Sequence, residues 1–371
     1  MADPKSVVSA LLDEAGIRVN GPEPWDIQVH DGRLYPRMLA WKNLGLGEAY
    51  MQGWWDCPRV DEFISRILRA GLANRVKRNW RLLLGLAPYL LLNLQSLSRA
   101  SIVAKRHYGL DAELFGAFLD PYRQYSCAYF RDTDDLAEAQ RRKMRLVCDK
   151  LGLRPGERLL DIGCGWGGLA RFAAEEYGCA VVGINISKEQ IAFAREFCAG
   201  LPVEILARDY RRMDEPFGKI VSVGMFEHVG SKNYREFMEV AARCLKPGGV
   251  FLLHTIGSNE TIVGCDPWIT RHIFPNGHLP SMAEIARAVE GLLVVEDWHN
   301  LGPHYDRTLM CWNERFQAAW PSLAPRHGET FRRMWEYYLQ SCAGAFRARD
   351  LQLWQIAFTH TGSEQPCCRL A

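Results

Sequence analysis

"LLDIGCGWGG", Leu159 to Gly168, decides how the rest of the chain is read. It begins as an apolar strand and carries an acid, Asp161, near the strand's end. It then turns through Gly163, Gly165 and Gly167 into "GGLARFAAEEYG", whose apolar spacing is that of a helix closing at Gly178. Glycines at alternate positions let a backbone turn sharply and approach a ligand closely.

Outward from this turn, strands and helices alternate. "CAVVGI" reads as a strand and "SKEQIAFAREFCAG" as a helix with Ser187 as its N-cap. "VEILA" and "GKIVSVG" are strands. "KNYREFMEVAARCLKPGG" is a helix closed by a Pro-Gly-Gly turn, and "VFLLHTIG" and "LLVVEDWH" are two more strands. Such alternation predicts an α/β fold with a doubly wound, mainly parallel sheet. The glycine spacing is not the G-x-G-x-x-G of dinucleotide folds. D-x-G-x-G is the form used by S-adenosylmethionine methyltransferases, so the sheet is expected to be of that type. Residues 1–95 read instead as short helices between Gly/Pro turns, a smaller and mainly helical N-terminal domain. Residues 96–371 form the expected catalytic domain.

A chain of 371 residues with 48% hydrophobic and 24% charged residues has enough apolar material for two cores. The twelve cysteines are scattered, without zinc-ligand spacing and without a secretory leader, and read as reduced and cytoplasmic. No HExxH pattern is present, and no metal is expected. The net charge of +2 conceals an asymmetry: residues 63–110 hold nine Lys/Arg and no acid. That stretch includes "RLLLGLAPYLLLNL", Arg81 to Leu94, which is too short to span a bilayer and is interrupted by Pro88. Basic residues around an apolar segment suit an anionic membrane face, and equally a core helix with a solvated rim. No nucleic-acid-binding motif accompanies them.

In open parallel sheets, ligands sit beyond the carboxyl ends of the strands. Asp161, Gly163 and Gly165 therefore belong to the expected cofactor site. So do Asn185 at the end of the second strand, where a polar group meets the ribose, and Ser187 and Gln190 at the start of the next helix. Asp209 or Tyr210, after the third strand, is expected near the adenine. Two more strand ends carry polar groups in apolar surroundings: Glu227 and His228 in "VSVGMFEHVG", and His254 in "FLLHTIG". A lone histidine in an apolar strand is commonly a satisfied core residue, but two such sites at adjacent strand ends point to function.

"HYGLDAELF", "LDPYRQYSCAYF", "LDIGCGWGGLA", "VSVGMFEHVG", "HTIGS", "HIFPNGHLPS", "EDWHN" and "GAFRARDLQLWQ" follow one another in the order found in bacterial cyclopropane-fatty-acyl-phospholipid synthases. The chain resembles that family from "GLGEAYMQGWWDC" onward, although Gly109 stands where the family has an acid after His-Tyr. The resemblance implies transfer of a methylene from S-adenosylmethionine to a cis double bond of a membrane phospholipid acyl chain. The route is a carbocation, and a bound bicarbonate is the base. It implies Cys127, Glu227, His254, the backbone of Ile256 and Tyr305 as the bicarbonate pocket. Tyr125 and Ser126 would contact S-adenosylmethionine. A peripheral enzyme on the inner membrane face is expected, with residues 1–95 binding lipid or forming a homodimer. Three other readings stay open: a lipid or amine methyltransferase that closes no ring, a catalytically silent lipid-binding protein using the N-terminal region, and Cys127 acting as a nucleophile with His254.

Overall fold

A computed structural model describes residues 3–72, 112–262 and 264–369. They form two compact units. One takes in residues 3–72, 264–275 and 306–351; the other takes in residues 112–262, 276–305 and 352–369. The apolar segment Arg81–Leu94, the basic residues Arg75, Lys77 and Arg78, Gly109 and the expected boundary at 95 lie outside the described residues. The first unit is thus not the N-terminal stretch alone.

In the first unit, helices Pro4–Glu14, Leu34–Met51 and Val60–Arg69 surround a two-residue ladder of β1 (Gln28–Val29) and β2 (Trp55–Asp56). The later segments join through buried polar and aromatic contacts. Arg347 binds both oxygens of Asp306, at 2.8 and 2.9 Å, and also reaches Asp61, a buried acid that Arg59 holds at 2.7 and 2.9 Å. The Tyr337 ring packs edge-on against Trp55 and Trp268.

The second unit is built on seven strands: β3 (Arg158–Ile162), β4 (Ala180–Asn185), β5 (Val203–Ala207), β6 (Phe217–Val223), β7 (Leu245–Ser258), β8 (Val294–Asn300) and β9 (Leu351–Thr359). Their order is β5-β4-β3-β6-β7-β9-β8. β5 through β7 pair in parallel, and β8 pairs antiparallel to β9. Alternate residues feed two separate cores. Leu159, Val181, Val221, Leu252 and Ala357 pack on one face, and Leu160, Val182, Ile220, Leu253 and Ile356 on the other. Both faces are covered, which is why these strands read as continuous apolar runs rather than alternating ones. The expected doubly wound, mainly parallel sheet is present. The chain leaves β3 toward β5 and returns to β6 on the opposite side, so the strand order reverses beside the glycine turn, where such folds bind ligands.

Several elements differ from the sequence reading, among them helices Leu136–Leu151 and Met282–Val289, which it did not contain. The helix expected over residues 232–249 spans Tyr234–Cys244, after a short turn at Ser231–Asn233. Leu245 already pairs with Phe217, and the register shifts before Lys219 meets Val250, so Pro247 and Gly248 bulge from the strand instead of ending a helix. β9 is an additional strand. Helix Gly302–Arg347 is also additional; Pro321 and Pro325 lie within it and Gly328 breaks its helical geometry with φ +71°.

Candidate active site

The glycine turn shapes a cavity at the carboxyl edge of β3, β4 and β6. Gly163 has φ +85°, and a Cβ there would press on the Met225 side chain at 2.7 Å. Gly165 has φ +53°, and a Cβ there would meet nothing within 4 Å, because the turn faces open space. Both observations suit a loop that must lie against a ligand. Tyr125, Ser126, Asp161, Gly163, Gly165, Asn185, Gln190, Asp209 and Tyr210 all line this one cavity. Ser187 is not in its lining. Its hydroxyl caps helix Lys188–Phe197, accepting from the Gln190 amide at 3.4 Å.

Local bonds explain how several of these residues are held. Asn185 Nδ2 donates to the Gly165 carbonyl (3.2 Å) and to Gln190 Oε1 (2.9 Å), while its Oδ1 accepts from the Ile186 and Ser187 amides. The amide expected at the ribose thus also ties the glycine turn to the next helix. Asp209 accepts from the Arg211 amide at 3.0 Å and pairs with its guanidinium at 3.1 Å. Asp161 is buried, and burial pushes its carboxyl up to about 7 against the pull of Lys143. Its Oδ2 makes no hydrogen bond among the described residues.

Sequence reasoning did not single out Trp166, Arg208 or Met225, which share the lining. Nor did it find Lys143, which no motif marks. Lys143 lies in the interior of helix Leu136–Leu151 with its ammonium buried, bonded to Ser126 Oγ at 2.8 Å and to Gln124 Oε1 at 2.5 Å.

A second buried group lies at the ends of β6 and β7. Glu227, in the short turn Phe226–His228, accepts the Ile256 amide at 2.7 Å through Oε1. Burial outweighs that bond and pushes Glu227 up to about 7, so much of it is a neutral acid near neutral pH. Its Oε2 is buried without a hydrogen bond among the described residues. His254, two residues before Ile256, is driven well below its ordinary value, first by burial and then by Lys143 and Lys150, and is neutral. Gln355 of β9 places Nε2 at 3.2 Å from His254 Nδ1. When that amide donates, the ring carries its proton on Nε2, which is likewise buried and without a partner among the described residues.

Cys127 is fully buried, with Sγ 3.2 Å from the Ala128 carbonyl. The loop that carries it meets the start of helix Gly302–Arg347: the Phe130 amide donates to His304 Nδ1 at 3.1 Å, and the Tyr129 and His304 rings lie 4.9 Å apart. Tyr305 follows His304 and is buried. Among the described residues, no cluster of three or more His, Cys, Asp or Glu is arranged to hold a metal ion.

Comparison with known proteins places this geometry. The mycolic acid cyclopropane synthetase family matches residues 95–356. The chain belongs to the mycolic acid cyclopropane synthetase family. Within it, the chain is 54% identical over 353 residues to the cyclopropane-fatty-acyl-phospholipid synthase of Escherichia coli, covering 95% of this chain and 92% of that one. It is 39% identical over 263 residues to a probable fatty acid methyltransferase of Pseudomonas putida, covering 67% of each. The crystal structure of mycolic acid cyclopropane synthase CmaA1 complexed with SAH and CTAB is 35% identical. It superposes with a TM-score of 0.65 over 69% of this chain and 97% of that one. The Escherichia coli relative carries the name of the family the sequence motifs resemble, and the methyltransferase fold is the one the glycine spacing predicted.

Proposed function

We propose that this chain is a cyclopropane-fatty-acyl-phospholipid synthase, which transfers a methylene from S-adenosylmethionine to a cis double bond in a phospholipid acyl chain. The observation that carries the chemistry is the pair of buried polar atoms, Glu227 Oε2 and His254 Nε2, which make no hydrogen bond among the described residues and sit on groups that burial pushes toward the uncharged form. An orphaned buried polar atom costs about 1–3 kcal/mol, which a bound polar ligand would recover.

S-adenosylmethionine, when bound, supplies the methyl group. Gly163 and Gly165 admit it closely, and Asp161, Asn185, Gln190, Asp209, Tyr210, Tyr125 and Ser126 would hold it. A bicarbonate, when bound, supplies the base. Cys127, Glu227, His254 and Tyr305 would wall it, with the Ile256 amide acting through Glu227. A carboxylate would repel that anion. A carboxyl raised to about 7 can instead present an O–H to it, as can a neutral imidazole carrying its proton on Nε2. Neutral donors in a water-poor pocket also spare a cationic intermediate from capture by water. The thiol needs no nucleophilic role in this scheme.

Among the described residues no helix is long and apolar enough to cross a membrane. The substrate's location favours a peripheral enzyme on the inner face of an anionic membrane. The helical first unit would supply lipid contact or dimerisation. The Pseudomonas relative's name supports a second reading, methylation without ring closure. Incubating the protein with unsaturated phospholipid vesicles and S-adenosylmethionine, followed by proton NMR of the product, separates the two. The synthase yields upfield ring protons and loses the olefinic ones; the methyltransferase yields no ring.

A further inference from the structure

The loop Gln124–Cys127 has no helix or strand of its own, yet it carries residues for both halves of the site. Three buried polar groups converge on it. Asp120 accepts the Tyr122 amide through Oδ2 and the Gln124 amide through Oδ1, each at 2.8 Å. Gln140 donates to the Ser126 carbonyl at 2.8 Å and to the Gln124 carbonyl at 3.4 Å. One turn farther along the same helix, Lys143 donates to the side chains of both Ser126 and Gln124.

Lys143 is the unusual member. Its relative exposure is 1%, and its hydrogen-bond partners are the uncharged side chains of Ser126 and Gln124. Burying a cation carries a desolvation cost that neutral oxygen partners offset only in part. Replacing such a group with an apolar side chain of similar volume is often neutral or stabilising. A lysine here is therefore poorly explained as a contribution to stability.

We propose that Lys143 is a positioning residue: its ammonium clamps the Gln124–Cys127 loop, so that Tyr125 and Ser126 on the cofactor side and Cys127 on the base side keep one shared geometry. The role rests on the function proposed above. It makes the two half-sites mechanically dependent through a single side chain that is not in the lining of the cofactor cavity. Burial draws the ammonium down only to about 8, so it remains largely charged at neutral pH. The nearby carboxylates of Asp120 and Asp161 favour that charge.

The test compares Lys143→Met, Ser126→Ala and the double variant by calorimetric titration with S-adenosylmethionine, by melting temperature, and by kcat and KM on vesicles. Expected is a folded Lys143→Met protein whose melting temperature is native or higher, whose cofactor affinity is at least about tenfold weaker, and whose kcat is also reduced. Ser126→Ala should cost less affinity in the Lys143→Met background than in the native protein, because the part of its effect that runs through the shared Lys143 contact is already lost. Native affinity and native kcat in folded Lys143→Met would overturn the proposal, as would full additivity with Ser126→Ala. Should the methionine variant fail to fold, Lys143→Gln, which keeps a donor without the charge, takes its place with the same expectation and the same refutation. A native protein that did not bind S-adenosylmethionine would overturn the reading of the cavity itself. That result is distinguishable, because it precedes any effect of the variants.

Discussion

Replacing Glu227 with glutamine should change stability and catalysis in opposite directions. In the folded protein burial raises this carboxyl from its ordinary 4.5 to about 7, so the native state holds its proton over a range in which the unfolded chain has released it. The folded state then binds more protons than the unfolded state, and the contribution of Glu227 to stability falls as pH rises from about 4.5 to about 7. At about 1.4 kcal/mol for each pH unit, the loss approaches about 3 kcal/mol above pH 7. Glutamine has nearly the same shape, can offer its oxygen to the Ile256 amide, and does not ionise. Glu227→Gln should therefore match native stability near pH 4.5 and exceed it by up to about 3 kcal/mol at pH 8. Urea midpoints of both proteins across that range, read by one signal, isolate this group because every other titration cancels. Activity should fall at the same time by roughly ten- to a hundredfold, because a weaker amide N–H replaces the acidic O–H as donor to a buried anion. Cofactor affinity should stay near native. Parallel stability curves for the two proteins, with no divergence between pH 5 and pH 8, would refute the argument that burial raises the Glu227 carboxyl to about 7.

Gly165→Val should abolish S-adenosylmethionine binding while leaving the fold intact. Its Cβ would project into the open cavity rather than into protein, at a φ of +53° that a β-branched residue resists; titration calorimetry with a circular dichroism control checks it. Tyr305→Phe should lower turnover about tenfold, and Cys127→Ser should cost less. Returning bicarbonate to carbonate-depleted assays should partly rescue at least one of them. A dead, bicarbonate-insensitive Cys127→Ser with normal cofactor binding would favour a nucleophilic thiol instead. Binding to anionic vesicles should weaken as salt rises and as Arg75, Lys77 and Arg78 are neutralised, since salt screens attraction between a basic segment and an anionic surface over about 10 Å at 0.1 M; co-sedimentation reads both effects.

The parallel strands were legible because each lies between two covered faces and so appears as a short apolar run bounded by turn residues. "VEILA" matches β5 residue for residue, and Ser187 caps the helix its pattern announced. β9 was not legible: "LQLWQIAFT" follows the end of a helix without a strong turn signal, and its place between β7 and β8 is set by tertiary pairing alone. The helix Gly302–Arg347 was hidden by its own prolines and Gly328, which usually mark ends. At the site, the residues on the glycine turn and at strand ends could be found because topology directs them to one edge. Lys143 could not, since a lysine in a helix is ordinarily solvated and only the packed structure reveals that its ammonium is buried against Ser126. The double duty of Asn185, which bonds Gly165 and Gln190, is invisible for the same reason.

Supplying S-adenosylmethionine with a trideuterated methyl group and following the label into an unsaturated phospholipid tests the central claim most directly. Ring closure requires that one hydrogen leave the transferred methyl. The account predicts a product whose new carbon is a CD2 within a cyclopropane ring, with the original double bond gone. A product carrying an intact CD3 branch, or a CD2 in an open-chain alkene, would contradict it.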